Sequence, residues 1–191
     1  VLGRTGIRTS VLGLGAGGPS RIGRSYEVSE EDSVKLVREA VDMGIRFFDT
    51  AEVYGTESIV GRALRGGASK DEPAVSTKLI PTVDGRLKRE PEIASSLHSS
   101  LERLGLERVD VYHVHGVRPE TYDAVRDRIF PVLDRFREQG KIRAVGITEH
   151  FGTDTGHRML DAALSDDLWD VIMVGFNMFN PSARGLLARA S

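Results

Sequence analysis

The stretch Arg46-Phe47-Phe48-Asp49-Thr50-Ala51-Glu52-Val53-Tyr54-Gly55 is an apolar run that ends in a carboxylate, followed by a hydroxyl and, five residues after the acid, a phenol. The apolar residues suit a buried strand, whereas an Asp closing that strand does not belong to its core. In parallel α/β folds, binding and chemistry gather at the carboxyl ends of the strands. The segment therefore predicts a buried parallel strand over 45–49 that delivers Asp49 and Tyr54 to a functional rim.

The same unit recurs on both sides of it. Upstream, Ser10-Val11-Leu12-Gly13-Leu14-Gly15-Ala16-Gly17-Gly18 reads as a strand running into a glycine loop. Ser29-Glu30-Glu31-Asp32 is a capping-box-like start for a helix carrying Val34, Val37 and Val41 and stopped by Gly44. Downstream, strands are predicted over 74–78, 109–115, 142–147 and 170–174. Helices are predicted between them over 57–65, 91–105, 122–139 and 155–165, and another begins near Pro181. Pro131 splits the 122–139 segment in two. Residues 1–10, with Gly3-Arg4-Thr5-Gly6 between short apolar pieces, predict a small β-hairpin.

Strands that alternate with amphipathic helices in this way mean a parallel sheet, either a (β/α)8 barrel or a doubly wound open sheet. A barrel needs eight units and about 250 residues; here 191 residues carry six. Either two units lie outside this sequence or the sheet is open. The sequence starts at Val1 and stops at Ser191 inside a predicted helix, so a single domain over 1–191, truncated at its C-terminal end, is the expectation.

Composition narrows the function. With 40% hydrophobic and 28% charged residues the chain is ordinary and globular, and a net charge of -2 offers no basic footprint for nucleic acid. The absence of cysteine excludes a disulfide framework, a thiolate nucleophile and a Cys-ligated metal. No apolar run approaches the roughly 18 residues of a membrane span, and no signal segment opens the sequence, so no membrane partner and a cytoplasmic location are expected.

If consecutive strands are neighbours, their ends bring Asp49, Lys78 and His115 side by side, with Tyr54 on the intervening loop. A phenol is a poor acid at neutral pH, and an adjacent ammonium is expected to lower its pKa. Asp49 would hold Lys78 charged and oriented, Tyr54 would protonate a carbonyl oxygen, and His115 would orient that oxygen. The set suits carbonyl reduction of a small substrate.

Other chemistries use some of the same residues. Gly13-Leu14-Gly15-Ala16-Gly17-Gly18 fits a dinucleotide fingerprint, but that motif opens directly into a helix, and here about ten residues including Pro19 and Gly23 come first. His113-Val114-His115 has metal-ligand spacing on one strand face and would suit a barrel hydrolase with Asp49 as a further ligand, which the nearby Lys78 opposes. A barrel that keeps the rim yet serves only as a binding or regulatory subunit is the third alternative.

The sequence resembles the aldo-keto reductases. Asp49-Thr50-Ala51-Glu52-Val53-Tyr54-Gly55 matches that family's Asp-Thr-Ala-x-x-Tyr-Gly signature, Ser76-Thr77-Lys78 its lysine motif, and Val109-Asp110-Val111-Tyr112-His113-Val114-His115 its histidine strand. Leu2-Gly3-Arg4-Thr5-Gly6, Gly140-Lys141-Ile142-Arg143-Ala144-Val145-Gly146-Ile147 and Phe176-Asn177 also look familial, in order along the chain. The resemblance implies a (β/α)8 barrel, here its first six units, closed below by the hairpin. It also implies NADP(H), with hydride passing to a carbonyl carbon while Tyr54 supplies the proton, helped by Lys78, Asp49 and His115. Positions near the nicotinamide would be Gly15, Ala16, Gly17, Asp49, Thr148, Glu149 and Met173, with no metal. The family usually has Ser-Asn and Gln where this sequence has Thr148-Glu149 and Met173; an ionised Glu149 accepts from an amide but cannot donate to its carbonyl.

Overall fold

In a computed structural model of the chain, which describes residues 1–65 and 72–190, six parallel strands form one sheet. They are β1 (Leu14–Gly15), β2 (Phe47–Asp49), β3 (Ala74–Leu79), β6 (Val109–Val117), β7 (Ile142–Glu149) and β8 (Val171–Met173), paired in that order. A separate antiparallel pair, β4 (Thr82–Val83) and β5 (Arg86–Leu87), sits between β3 and the next helix. The helices are α1 (Glu30–Asp42), α2 (Glu57–Leu64), α3 (Glu90–Leu104), α4 (Pro119–Arg128), α5 (Phe130–Glu138), α6 (Arg158–Asp166) and α7 (Arg184–Ala190). Sheet order thus follows chain order, with helices as crossovers, and the architecture is an incomplete (β/α)8 barrel.

Alternation along each strand sorts the side chains into two sets. Phe48, Val75, Leu79, Tyr112, Val114, Val145 and Ile147 face outward and join the helices' apolar stripes, such as Ile93, Leu97, Leu101 and Leu104, in the main core. The opposite parity faces the barrel interior. Its lowest layer is Phe47, Ala74, Val111, Ala144 and Val171, closed from below by Leu2 and Ile7. By the strand register, Asp49 lies level with Ser76, and His113 with Gly146 one layer above that floor. The apolar floor excludes water from beneath the polar layers.

Two local expectations differ from the structure. Residues 1–10 form no hairpin: a 3-10 turn over Gly3–Thr5 is closed by Leu2 N–H donating to Ile7 O at 2.8 Å. The plug under the barrel is there, but Gly6 in a left-handed conformation (φ 69°) folds it as a turn. The predicted first strand shrinks to two residues, and Gly13, Gly15 and Gly17, of one parity, offer no side chains to the interior layer. Conversely, β4 and β5 escaped prediction although Asp84-Gly85 between them, both at positive φ, is hairpin turn chemistry. The break expected at Pro131 falls beside it, between α4 and α5. Ser191, where the last helix was expected to be cut, lies outside the described residues. Among the described residues, no helix is long and apolar enough to cross a membrane.

Candidate active site

The carboxyl ends of β2, β3 and β6 bring four polar side chains to one side of the barrel mouth. Lys78, on the interior face of β3, is 1% exposed and donates to Asp49 Oδ2 at 2.5 Å and to Thr50 O at 2.7 Å. Ser76 Oγ donates to the other oxygen of Asp49 at 2.8 Å, so the carboxylate is held from two directions. Tyr54 follows on the loop after β2, where its N–H donates to Ala51 O. Its ring lies 5.2 Å from Lys78 Nζ and meets His115 edge-on, with ring centroids 5.7 Å apart. Gly17 supports the other side: a Cβ there would come within 2.4 Å of the Tyr54 ring.

Electrostatics in this cluster follow from burial. Burial pulls Lys78 below its usual amine pKa despite the Asp49 carboxylate. His115 is pushed down to about 4, by burial first and then by the Lys78 charge, so its ring is neutral at neutral pH. The expected lowering of Tyr54 is reversed: burial and the negative charge of Asp49 raise it. The ammonium points at Asp49 and Thr50 and lies over the ring, so the negative charge of Asp49 prevails at the phenol. Tyr54 therefore keeps its proton at neutral pH.

His113 also faces the interior, beside Lys78 in the strand register. It is fully buried, and neither ring nitrogen meets a partner in hydrogen-bond geometry, the main chain of Ile147 approaching too loosely to count. Burial and Lys78 hold it neutral, well below its ordinary pKa. The ring packs against Gly146, where a Cβ would come within 2.2 Å of Nδ1. Among the described residues, no three His, Cys, Asp or Glu side chains gather to hold a metal.

Beside His115 a cleft of about 610 Å³ opens, lined in part by Ile80, Pro81, Thr82, Arg118, His150 and Phe151. A larger cavity of about 660 Å³ lies at the other end of the strands, near Asp110 and Arg143, which pair at 2.7 Å. The four rim residues line neither wall of that second cavity. Glu52 closes the first cleft's edge, accepting Ile80 N–H at 2.7 Å and pairing with Lys88 at 2.9 Å. No spacing in the sequence announces that pair, which depends on β4 and β5 carrying Lys88 back over the rim.

The remaining predicted positions divide. Gly15 has no atom within 4 Å of a would-be Cβ, so it leaves open space, while Ala16 is buried and donates to Asp49 O at 2.7 Å. Thr148 Oγ1 accepts Gly116 N–H at 2.7 Å and stands level with Met173 in the register. Glu149, expected beside them, has outward parity: one oxygen lies 2.8 Å from His157 Nδ1 and the other accepts Gly175 N–H at 2.7 Å. Its partners come from separate loops, so no spacing along the chain announces them.

The aldo/keto reductase family model matches residues 11–189. The L-galactose dehydrogenase of Arabidopsis thaliana is 35% identical over 152 residues, covering 77% of this chain and 47% of that protein. The D-threo-aldose 1-dehydrogenase of a Pseudomonas species is 32% identical over an alignment of 197 residues, covering 88% and 57% respectively. Among solved structures, a thermostable aldo-keto reductase in complex with the inhibitor epalrestat matches with a TM-score of 0.74 at 28% identity, covering 98% of this chain and 66% of that one. The chain spans about half the length of the curated relatives it matches.

Proposed function

Because the chain belongs to the aldo/keto reductase family, we propose that its barrel mouth interconverts a carbonyl and an alcohol, using NADP(H) and Tyr54 as the proton donor. The observation that carries this reading is the convergence of Tyr54, the Lys78–Asp49 pair and a neutral His115 beside one cleft. When bound, NADP(H) supplies the hydride. The residues present fit a nicotinamide: Gly15 leaves open space on the interior side of β1, and the buried His115 Nδ1 has no partner among the described residues. Gly15, Ala16, Gly17, Asp49, Thr148 and Met173 would hold the ring, while Glu149 acts through Gly175.

The chain's own groups then divide the work. Neutral His115 donates a hydrogen bond to the substrate oxygen and orients it. Tyr54, protonated because burial and Asp49 raise its pKa, gives its proton to that oxygen as negative charge develops there. Lys78, anchored by Asp49 and Thr50, lies over the phenol and stabilises the phenolate left behind. Ser76 keeps the carboxylate from swinging away from the lysine.

The names of the two sugar dehydrogenases favour an aldose as substrate and the oxidising direction, which the same groups serve in reverse, with Tyr54 as base. A panel of aldehydes with NADPH, and of aldoses with NADP+ and NAD+, followed by nicotinamide absorbance, decides substrate and direction. Tyr54→Phe is expected to lower turnover by at least about 100-fold while cofactor fluorescence quenching persists. Full turnover in that variant would remove Tyr54 from its role, and no quenching by the unaltered chain would favour a binding subunit.

A further inference from the structure

A buried run of hydrogen bonds joins the end of β7 to the loop after β8. His157, 3% exposed, has Nδ1 2.8 Å from Glu149 Oε2 and Nε2 2.8 Å from Ser182 Oγ. Glu149 extends the run by accepting Gly175 N–H. Phe151 stacks on the imidazole at 5.9 Å, and a Cβ on Gly175 would come within 2.5 Å of the Phe151 ring. The loop over 175–182 is thus gripped at both ends by groups anchored on or just after β7.

Serine, imidazole and carboxylate in this order would suit a nucleophilic relay, but the count of protons decides otherwise. Asn180 Oδ1 accepts Ser182 N–H at 3.2 Å, and Ser182 Oγ lies 2.5 Å from the same oxygen. The single hydroxyl proton goes there, the shortest of the contacts, so Nε2 has to donate to Oγ. A carboxylate only accepts, so Nδ1 donates to Glu149. With both nitrogens donating, the imidazole bridges strand and loop and is no base for the serine. Other charged groups near it are Asp154 ahead of α6 and Arg158 at its first position, which pair with each other at 3.2 Å; the loop after β8 contributes the Ser182 hydroxyl and the Asn180 amide.

We propose that Glu149, His157 and Ser182 form a hydrogen-bonded clasp that fixes the 175–182 loop, and with it the main chain following Met173, at the barrel mouth. They are positioning residues, and only the kinetic consequence rests on the function proposed above. A carboxylate suits this place because its two oxygens serve the imidazole and a backbone N–H together.

Ring nitrogen NMR shifts of the full chain near neutral pH should report protons on both nitrogens of His157. Ser182→Ala should raise amide exchange over 175–182 by about tenfold, as loss of a hydrogen bond implies, with β3 and β6 unchanged; Ser182→Thr should restore protection. In turnover assays Ser182→Ala should raise KM for the nicotinamide cofactor several-fold with kcat unchanged. An unprotonated ring nitrogen, labelling of Ser182 by a fluorophosphonate, or unaltered exchange in Ser182→Ala would overturn the clasp. If the chain reduces no carbonyl while the NMR and exchange results hold, the reaction fails and the clasp stands.

Discussion

Tyr54 is positioned from three sides, by Gly17, Lys78 and His115, and its position depends most on the one that has no side chain. A methyl at Gly17 would overlap the ring at 2.4 Å. Gly17→Ala should therefore displace the phenol and cut turnover by at least about tenfold, because misplacing a reacting group by an ångström costs orders of magnitude; the check is kcat against an unchanged urea midpoint. The histidines of β6 set the acid limit. In the unfolded chain they take up protons near pH 6.5, whereas His115 in the fold does so at about 4 and burial holds His113 well below its ordinary value. Between those values the unfolded state binds more protons, so stability falls as pH drops from about 6.5 toward about 4. A urea midpoint lower at about pH 4.5 than at about pH 7, with His113→Leu reducing the difference, is the expected outcome.

Between elements, the tightest joint is α2 against α3. Gly61 lets the helix backbones meet, since a Cβ there would stand 2.1 Å from Leu104 O. Beside it, buried Glu57 accepts from Thr77 at 2.6 Å and from Arg103 at 2.6 Å, tying α2 to both β3 and α3. Arg103→Ala leaves that carboxylate uncompensated and should destabilise the fold by about 3 kcal/mol, measured by urea unfolding, whereas Arg103→Lys should recover part of it. Such joints explain what could be read in advance. β3, β6 and β7 were legible because each keeps an apolar parity toward the helices, as Val75 and Leu79, Tyr112 and Val114, and Val145 and Ile147 do, and Asp49, Lys78 and His115 were legible because each is a polar residue at or near the carboxyl end of its strand. The plug at residues 1–10, the short β1 and the Glu149–His157–Ser182 run were not. Their form depends on left-handed glycines or on partners that only the folded chain brings together.

For the whole molecule, the open edges matter most. Among the described residues, β1 and β8 each lack a neighbour on one side of the six-stranded sheet, and Val11, Leu12, Phe176, Met178 and Phe179 stand exposed nearby. Edges of this kind invite pairing. The 191-residue polypeptide by itself is expected to associate with rising concentration, and light scattering that stays monomeric across a hundredfold dilution series would refute this. The interior parity carries a last consequence, in genetic terms. Since Ser76 and Lys78 face inward while Val75, Thr77 and Leu79 face the helices, deleting one codon ahead of Ser76 would not merely shorten β3. It would turn the lysine out toward α2 and bring threonine and leucine into the barrel, erasing the chemistry in one step. Substitutions can drift through this strand one at a time, but its length is held as strictly as a reading frame.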